Sequence, residues 1–255
     1  MFPLRDENPT ELVPFVTVLI IAINALAWLF VQQAGSGQAF VASLCQWGAI
    51  PAEITGRIAA GTTVPLGPRQ ACRIGGAGPV TVLTSMFLHG GWMHIVGNMW
   101  FLWVFGNNVE DSMGHVRFVV FYLLCGILAA AAHILSSPAS PVPTVGASGA
   151  ISGIMGAYLV LYPRVRVHTL LFFFIFVRVI LLPAWVLLLL WFGLQLLSGT
   201  LSAGAAGGGV AFWAHVGGFV AGVALIKLFA RSELTEAKRE GRVLSREELG
   251  RFEPW

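Results

Sequence analysis

Acidic residues are scarce in this chain. Only 11% of its 255 residues are charged, and between Leu12 and Lys227 the full acidic set is Glu53, Glu110 and Asp111. Each falls in a loop or at a helix end, none in the middle of an apolar run. That argues against paired-aspartate proteolysis, carboxylate proton relays and a His-Glu-x-x-His zinc site, each of which needs buried carboxylates. The net charge of +3 is too small to argue for a nucleic-acid partner. No positively charged stretch and small-residue cleavage site flank the first apolar run, so that run reads as a retained span.

What the chain has in excess is apolar surface. It is 56% hydrophobic, with a mean hydropathy of +0.79. Soluble domains run nearer about 45–50% apolar and about 25% charged, so the composition is that of an integral membrane protein. A span needs about 20 apolar residues, fewer within a bundle. Six candidates meet this: Val13–Val31, Trp92–Val109, Arg117–Leu135, Gly146–Tyr162, Pro183–Leu197 and Val210–Phe229. Pro183 suits a first helical turn. The apolar stretch Val167–Leu182, which carries Arg178, either extends the fifth span or lies along the interface.

Basic residues set the direction. With both ends inside, the inner segments hold Arg5, Arg117, Arg164, Arg166, Arg178, Lys227 and the tail. The outer loops hold only Arg57, Arg69 and Arg73. Both termini are therefore expected to be cytoplasmic. The expected organisation is a short N-terminus (1–12), a six-span unit (13–230) and a charged tail (231–255). The outer loop, 32–86, is too long for a simple connection, and Phe40, Trp47 and Ile50 are expected at the outer interface. The tail has six basic and six acidic residues and reads as a solvated extension. A compact six-span chain suits a bacterial inner membrane.

The second, fourth and sixth spans all run from outside to inside, and each carries its unusual polar residues near its outer end. His94 and Asn98 lie just inside the second span, Ser148 opens the fourth, and His215 sits about five residues into the sixth. At about 1.5 Å rise per residue these groups share one depth. A serine hydroxyl is a weak nucleophile until an adjacent base takes its proton, and neutral imidazole is the usual base. His215 is the candidate base for Ser148. Attack creates an oxyanion, which needs preorganised donors. His94 and Asn98 share a helix face at i, i+4, and the Ser148 N–H adds a helix N-terminal donor. Gly149 and Gly153, with Ala214, Gly218 and Gly222, form small-residue faces that let two helix backbones approach closely. His89, His133, His115 and His168 read as loop, edge or interface residues, and Arg178 as a snorkelling anchor.

Three pieces carry a specific resemblance: His94-Ile-Val-Gly-Asn98, Gly146-Ala-Ser148-Gly149, and Ala214-His215-Val-Gly-Gly218 continuing to Gly222. With the run Gly106-x-x-x-Glu110-x-x-x-Gly114, they make the chain from Pro79 to Phe229 resemble the rhomboid family of intramembrane serine proteases. The resemblance implies an all-α, six-helix transmembrane bundle and a Ser148–His215 dyad without aspartate. It implies an oxyanion site of His94, Asn98 and backbone N–H, transmembrane segments of other proteins as substrates, and no metal or organic cofactor. Two positions depart. Ser152 stands four residues after the nucleophile, where the family often has an aromatic packed on the catalytic histidine; here that role falls to another residue or is absent. The first outer loop shows no clear Trp-Arg pair.

Cys45 and Cys72 share the outer loop and either pair in an oxidising compartment or stay free; Cys125 lies in the third span. Oligomeric state is not legible. Two rival readings are a catalytically inactive rhomboid-like protein that binds transmembrane helices, and a small-molecule transporter. Inactive relatives are expected to lack the serine or the histidine, and a transporter to show repeat symmetry. The sequence favours the endopeptidase.

Overall fold

The described residues fold mostly into helices, several of them apolar and near the runs that hydropathy picks out. The computed structural model describes residues 1–67, 70–173, 176–201, 211–240, 246–250 and 252. Strand β1 (Phe2–Asp6) precedes α1 (Phe15–Leu26), which ends in one π-helical turn, Ala27–Val31. The outer loop folds into α2 (Gly37–Trp47), α3 (Pro51–Ile54), the hairpin of β2 (Thr63–Gly67) and β3 (Gln70–Arg73), and α4 (Thr81–Thr84). Next come α5 (Trp92–Phe101), a π turn (Leu102–Gly106) and α6 (Asn107–Met113). After them run α7 (His115–Ser136), α8 (Ser148–Leu161), β4 (Arg166–Phe173) and β5 (Phe176–Pro183). The chain closes with α9 (Ala184–Leu201), α10 (Phe212–Phe229), α11 (Ser232–Glu240) and α12 (Arg246–Gly250).

By length and hydropathy α7, α9 and α10 are each able to cross a bilayer alone, while α1 with its π turn and α8 are shorter. The expected start of the sixth span, Val210, lies outside the described residues; the helix is in place from Phe212. Buried Phe105, Phe118, Phe121, Tyr122, Ile154 and Tyr158 form the common core. Outside it, Leu19 and Phe30 on α1, Val119 and Leu124 on α7, and Leu190 and Leu194 on α9 are exposed. Hydrocarbon, not water, solvates such a face at low cost.

Several expectations need correction. The chain is mostly helical but not all-α, because the stretch Val167–Leu182, expected either to extend the fifth span or to lie along the interface, does not continue α9 as helix. It forms the antiparallel β4–β5 hairpin, with β1 added along β4. The stretch is dense in Val, Ile, Leu and Phe, which suit a pleated surface, and Val167 and Thr169 alternate inward, each fully buried. The outer loop also has its own small core: Ile50 is fully buried with Cys45, Val64, Cys72 and Ile74, rather than facing the interface. Cys45 and Cys72 are disulfide-bonded within it.

The tail is docked. Leu234 packs on Leu12, and Lys238 forms an ion pair with Asp111 at 2.8 Å. Glu110 and Asp111 do sit at a helix end, yet they are buried, Glu110 completely. Glu110 accepts from the Val16 N–H (2.9 Å), the Thr17 N–H (2.8 Å) and the Thr17 hydroxyl (2.6 Å). The first turn of a helix leaves its amides without intrahelical partners, so this carboxylate caps α1 from another helix. Asp111 accepts from the Glu11 and Leu12 N–H groups in the same way. These are acids spent on architecture rather than on chemistry.

Candidate active site

Ser148 is the first residue of α8 because of what precedes it. Gly146 has φ +129°, a backbone that side chains rarely adopt, and a Cβ there would lie 2.8 Å from the His94 ring. Glycine thus turns the chain into α8 and lets His94 lie directly over the turn. The Gly146 N–H is anchored on the Ser85 carbonyl at 2.9 Å.

His215 lies in the first turn of α10, facing Ser148. Its Nε2 is 2.8 Å from Ser148 Oγ, and its Nδ1 is 2.8 Å from Gln195 Oε1 on α9. An amide oxygen only accepts, so Nδ1 carries the proton and Nε2 is left to accept from the serine hydroxyl. That is the tautomer a general base requires.

Interlocked glycines hold this distance. A Cβ on Gly218 would stand 3.0 Å from the carbonyl carbon of Gly149, and one on Gly222 only 2.6 Å from that of Gly153. Backbone of α8 therefore touches backbone of α10 over two successive turns. Gly149, Gly153, Gly218 and Gly222 all lie in this seam. Ala214, at its outer end, faces Gly149 more loosely.

The donors expected for an oxyanion gather on the same side. Gly90 N–H donates to His94 Nδ1 at 3.2 Å, so the His94 proton resides on Nε2, the atom that lies against Gly146. Asn98 is buried, and its Nδ2 has no hydrogen-bond partner. An unpaired buried amide costs on the order of 1–3 kcal/mol. The Ser148 N–H is an orphan of the first turn of α8.

The departure at Ser152 resolves locally. Its hydroxyl donates back to the Ser148 carbonyl at 2.6 Å and does not touch the histidine. Trp191 of α9 takes the packing role instead, its ring 5.9 Å from that of His215. Sequence reading passed over both Trp191 and Gln195. The available signal was a single glutamine inside the apolar run Leu187–Leu197, which is unusual for a residue within a span.

The remaining histidines are placed elsewhere. His89 is fully buried, edge-on to His94 at 5.2 Å, which pushes its pKa down to about 3, through burial first and the neighbouring imidazole second. His115 is buried against Glu110 at 2.6 Å rather than interfacial, and His168 pairs with Glu7 at 3.0 Å. His133 lies in the last turn of α7. Asp6 accepts from the Tyr158 hydroxyl at 2.5 Å, and burial holds its carboxyl above the usual range. Arg178 is exposed on β5. Among the described residues, no group of three or more His, Cys, Asp or Glu side chains could hold a metal ion.

Comparison with known proteins shows the family. The model of the Rhomboid domain matches residues 77–232. The chain is 42% identical over 78 residues to Rhomboid protease GluP of Bacillus subtilis (strain 168), 31% of this chain and 15% of that protein. It is 38% identical over 78 residues to RHOMBOID-like protein 6, mitochondrial, of Arabidopsis thaliana, 31% of this chain and 25% of that one. It is 31% identical over 87 residues to the Presenilin-associated rhomboid-like protein, mitochondrial, of Mus musculus, 33% of this chain and 23% of that one. The matches thus span a quarter or less of these relatives' own length. With a seam of glycines, a polar cluster at its end, and a family match over most of the chain, this integral membrane protein belongs to the rhomboid family.

Proposed function

We propose that this protein is an intramembrane serine endopeptidase that cleaves transmembrane segments of other membrane proteins. The observation that carries the reading is the 2.8 Å contact between Ser148 Oγ and His215 Nε2, set beside the unpaired Asn98 amide.

In this mechanism His215 Nε2 takes the Ser148 proton as Oγ bonds to the scissile carbonyl carbon. Negative charge moves to the carbonyl oxygen, where His94 Nε2–H, Asn98 Nδ2–H and the Ser148 N–H donate to it. The tetrahedral adduct collapses, the C–N bond breaks, and the imidazolium proton goes to the leaving amine. Water then hydrolyses the acyl ester, with His215 again acting as base. No metal or organic cofactor takes part. A helical substrate hides its carbonyls in its own hydrogen bonds, so the segment cut must unwind locally. Small and helix-breaking residues near the scissile bond favour this.

The same reading carries six spans and a cytoplasmic location for both termini, supported by the bias of Arg and Lys. The decisive experiment is cleavage of a single-span substrate in liposomes by wild type, Ser148→Ala and His215→Ala. Cutting by wild type alone, with both variants folded, is the expected result. Equal cutting by Ser148→Ala would remove the nucleophile assignment. Failure of wild type on a panel of single-span substrates would favour a helix-binding protein without proteolytic activity.

A further inference from the structure

We propose that Gln195 is a positioning residue that fixes the tautomer and orientation of His215, extending the dyad to Ser148–His215–Gln195. The inference rests on the protease reading for its consequence, but its geometry stands independently.

The argument begins with what His215 requires. An imidazole beside a serine works as a base only if its proton is on the far nitrogen. In a neutral ring the two tautomers interconvert, and nothing in Ser148 itself selects between them, because a hydroxyl both donates and accepts. Selection must come from the group on Nδ1. Here that group is Gln195 Oε1, at 2.8 Å, and it also sets the plane of the ring.

A second contact comes from the same helix. Trp191 and Gln195 are spaced i, i+4, so they share one face of α9, and the Trp191 ring lies against the imidazole at 5.9 Å with a 38° tilt. One residue holds the ring by its face and the other by its edge, while Ser152, on α8, is turned back to its own backbone. Among the described residues, the titratable groups that act on His215 electrostatically are the imidazoles of His94 on α5 and His133 on α7. No carboxylate is among them. A neutral amide gives direction without a buried negative charge, which a membrane interior disfavours.

The test uses the full-length protein in liposomes with Gln195→Leu and Gln195→Glu, read by cleavage rate against pH and by the ¹⁵N spectrum of His215. Wild type is expected to show a protonated, hydrogen-bonded Nδ1. Gln195→Leu should lose that signature and lower kcat about 10-fold with KM little changed. Gln195→Glu should keep Nδ1 protonated and move the acidic limb of the rate profile upward by about one pH unit or more, as an adjacent carboxylate does to an imidazole. An effect confined to folding would not move that limb. If Gln195→Leu keeps the wild-type tautomer and rate, the inference is overturned. Should Gln195→Leu fail to fold, the near-isosteric Gln195→Glu decides through the shift of His215 titration. If wild type cleaves nothing, the protease reading fails, and the ¹⁵N spectra still decide for or against Gln195.

Discussion

Gly222→Ala places a single methyl group in a seam that touches neither substrate nor base, and it tests whether helix spacing sets the catalytic distance. The added Cβ would run into the Gly153 carbonyl oxygen, and would meet the carbonyl carbon at 2.6 Å and the Cα at 2.7 Å. Carbon atoms pack at about 3.5–4.0 Å, so α8 and α10 must part by at least about 0.9 Å at that turn. Backbone atoms have no rotamer through which to escape. If the separation carries along the seam, the Ser148–His215 contact of 2.8 Å stretches to about 3.7 Å, beyond hydrogen-bond range. Overpacking also costs about 1–3 kcal/mol of stability. The assay is cleavage of a single-span substrate in liposomes alongside labelling of Ser148 by a fluorophosphonate, with thermal unfolding as the check on folding. Both rates should fall by at least about 10-fold. Gly193→Ala on α9, whose Cβ would meet nothing within 4 Å, should leave them unchanged. A folded Gly222→Ala protein with wild-type labelling would show that seam spacing does not govern the dyad.

In the proposed mechanism Asn98→Ala removes one oxyanion donor and should lower kcat about 10²–10³-fold with little change in KM, measured by steady-state cleavage. Glu110→Ala leaves the α1 amides uncapped in a buried place and should cost about 3 kcal/mol, read by denaturant or thermal unfolding in detergent. Replacing Cys45 and Cys72 by serine opens a loop with a sequence separation of 27 and should cost about 3–4 kcal/mol in the chain-entropy account; reducing agent should lower wild-type Tm and leave the variant unmoved. His89 has its pKa lowered to about 3, so the folded state holds it neutral. Its contribution to stability is full above the unfolded value of 6.5 and is lost as pH falls toward about 3, with a limiting slope of about 1.4 kcal/mol per pH unit. His89→Gln should flatten that part of a Tm-against-pH curve.

Residues whose role is local in sequence were legible before the structure. Ser148 at a helix start, His94 and Asn98 one turn apart, and the small-residue rows of α8 and α10 could each be placed from spacing, while the roles expected of them came from their combination and from the family resemblance. What escaped notice depends on partners far along the chain. Gln195 acquires meaning only because α9 packs on α10, and its neighbours are leucines that hide it in any hydropathy average. The β4–β5 hairpin was lost because a run of about sixteen apolar residues fits a span or a pair of strands equally well; the density of β-branched residues was the available clue. Glu110 was placed correctly at a helix end, but its burial followed from α1 docking on it, which composition does not encode.

The carboxylate that caps α1 also imposes an order of events. Val16 and Thr17 bond to Glu110 across sequence separations of 94 and 93 residues. A ribosome delivers the first span long before that carboxylate exists outside its tunnel. Until residue 110 emerges, the opening amides of α1 have no partner from the rest of the chain and must draw on water at the membrane surface. Helix α1 is thus made well before it is finished, and its N-terminus is locked only when α6 arrives.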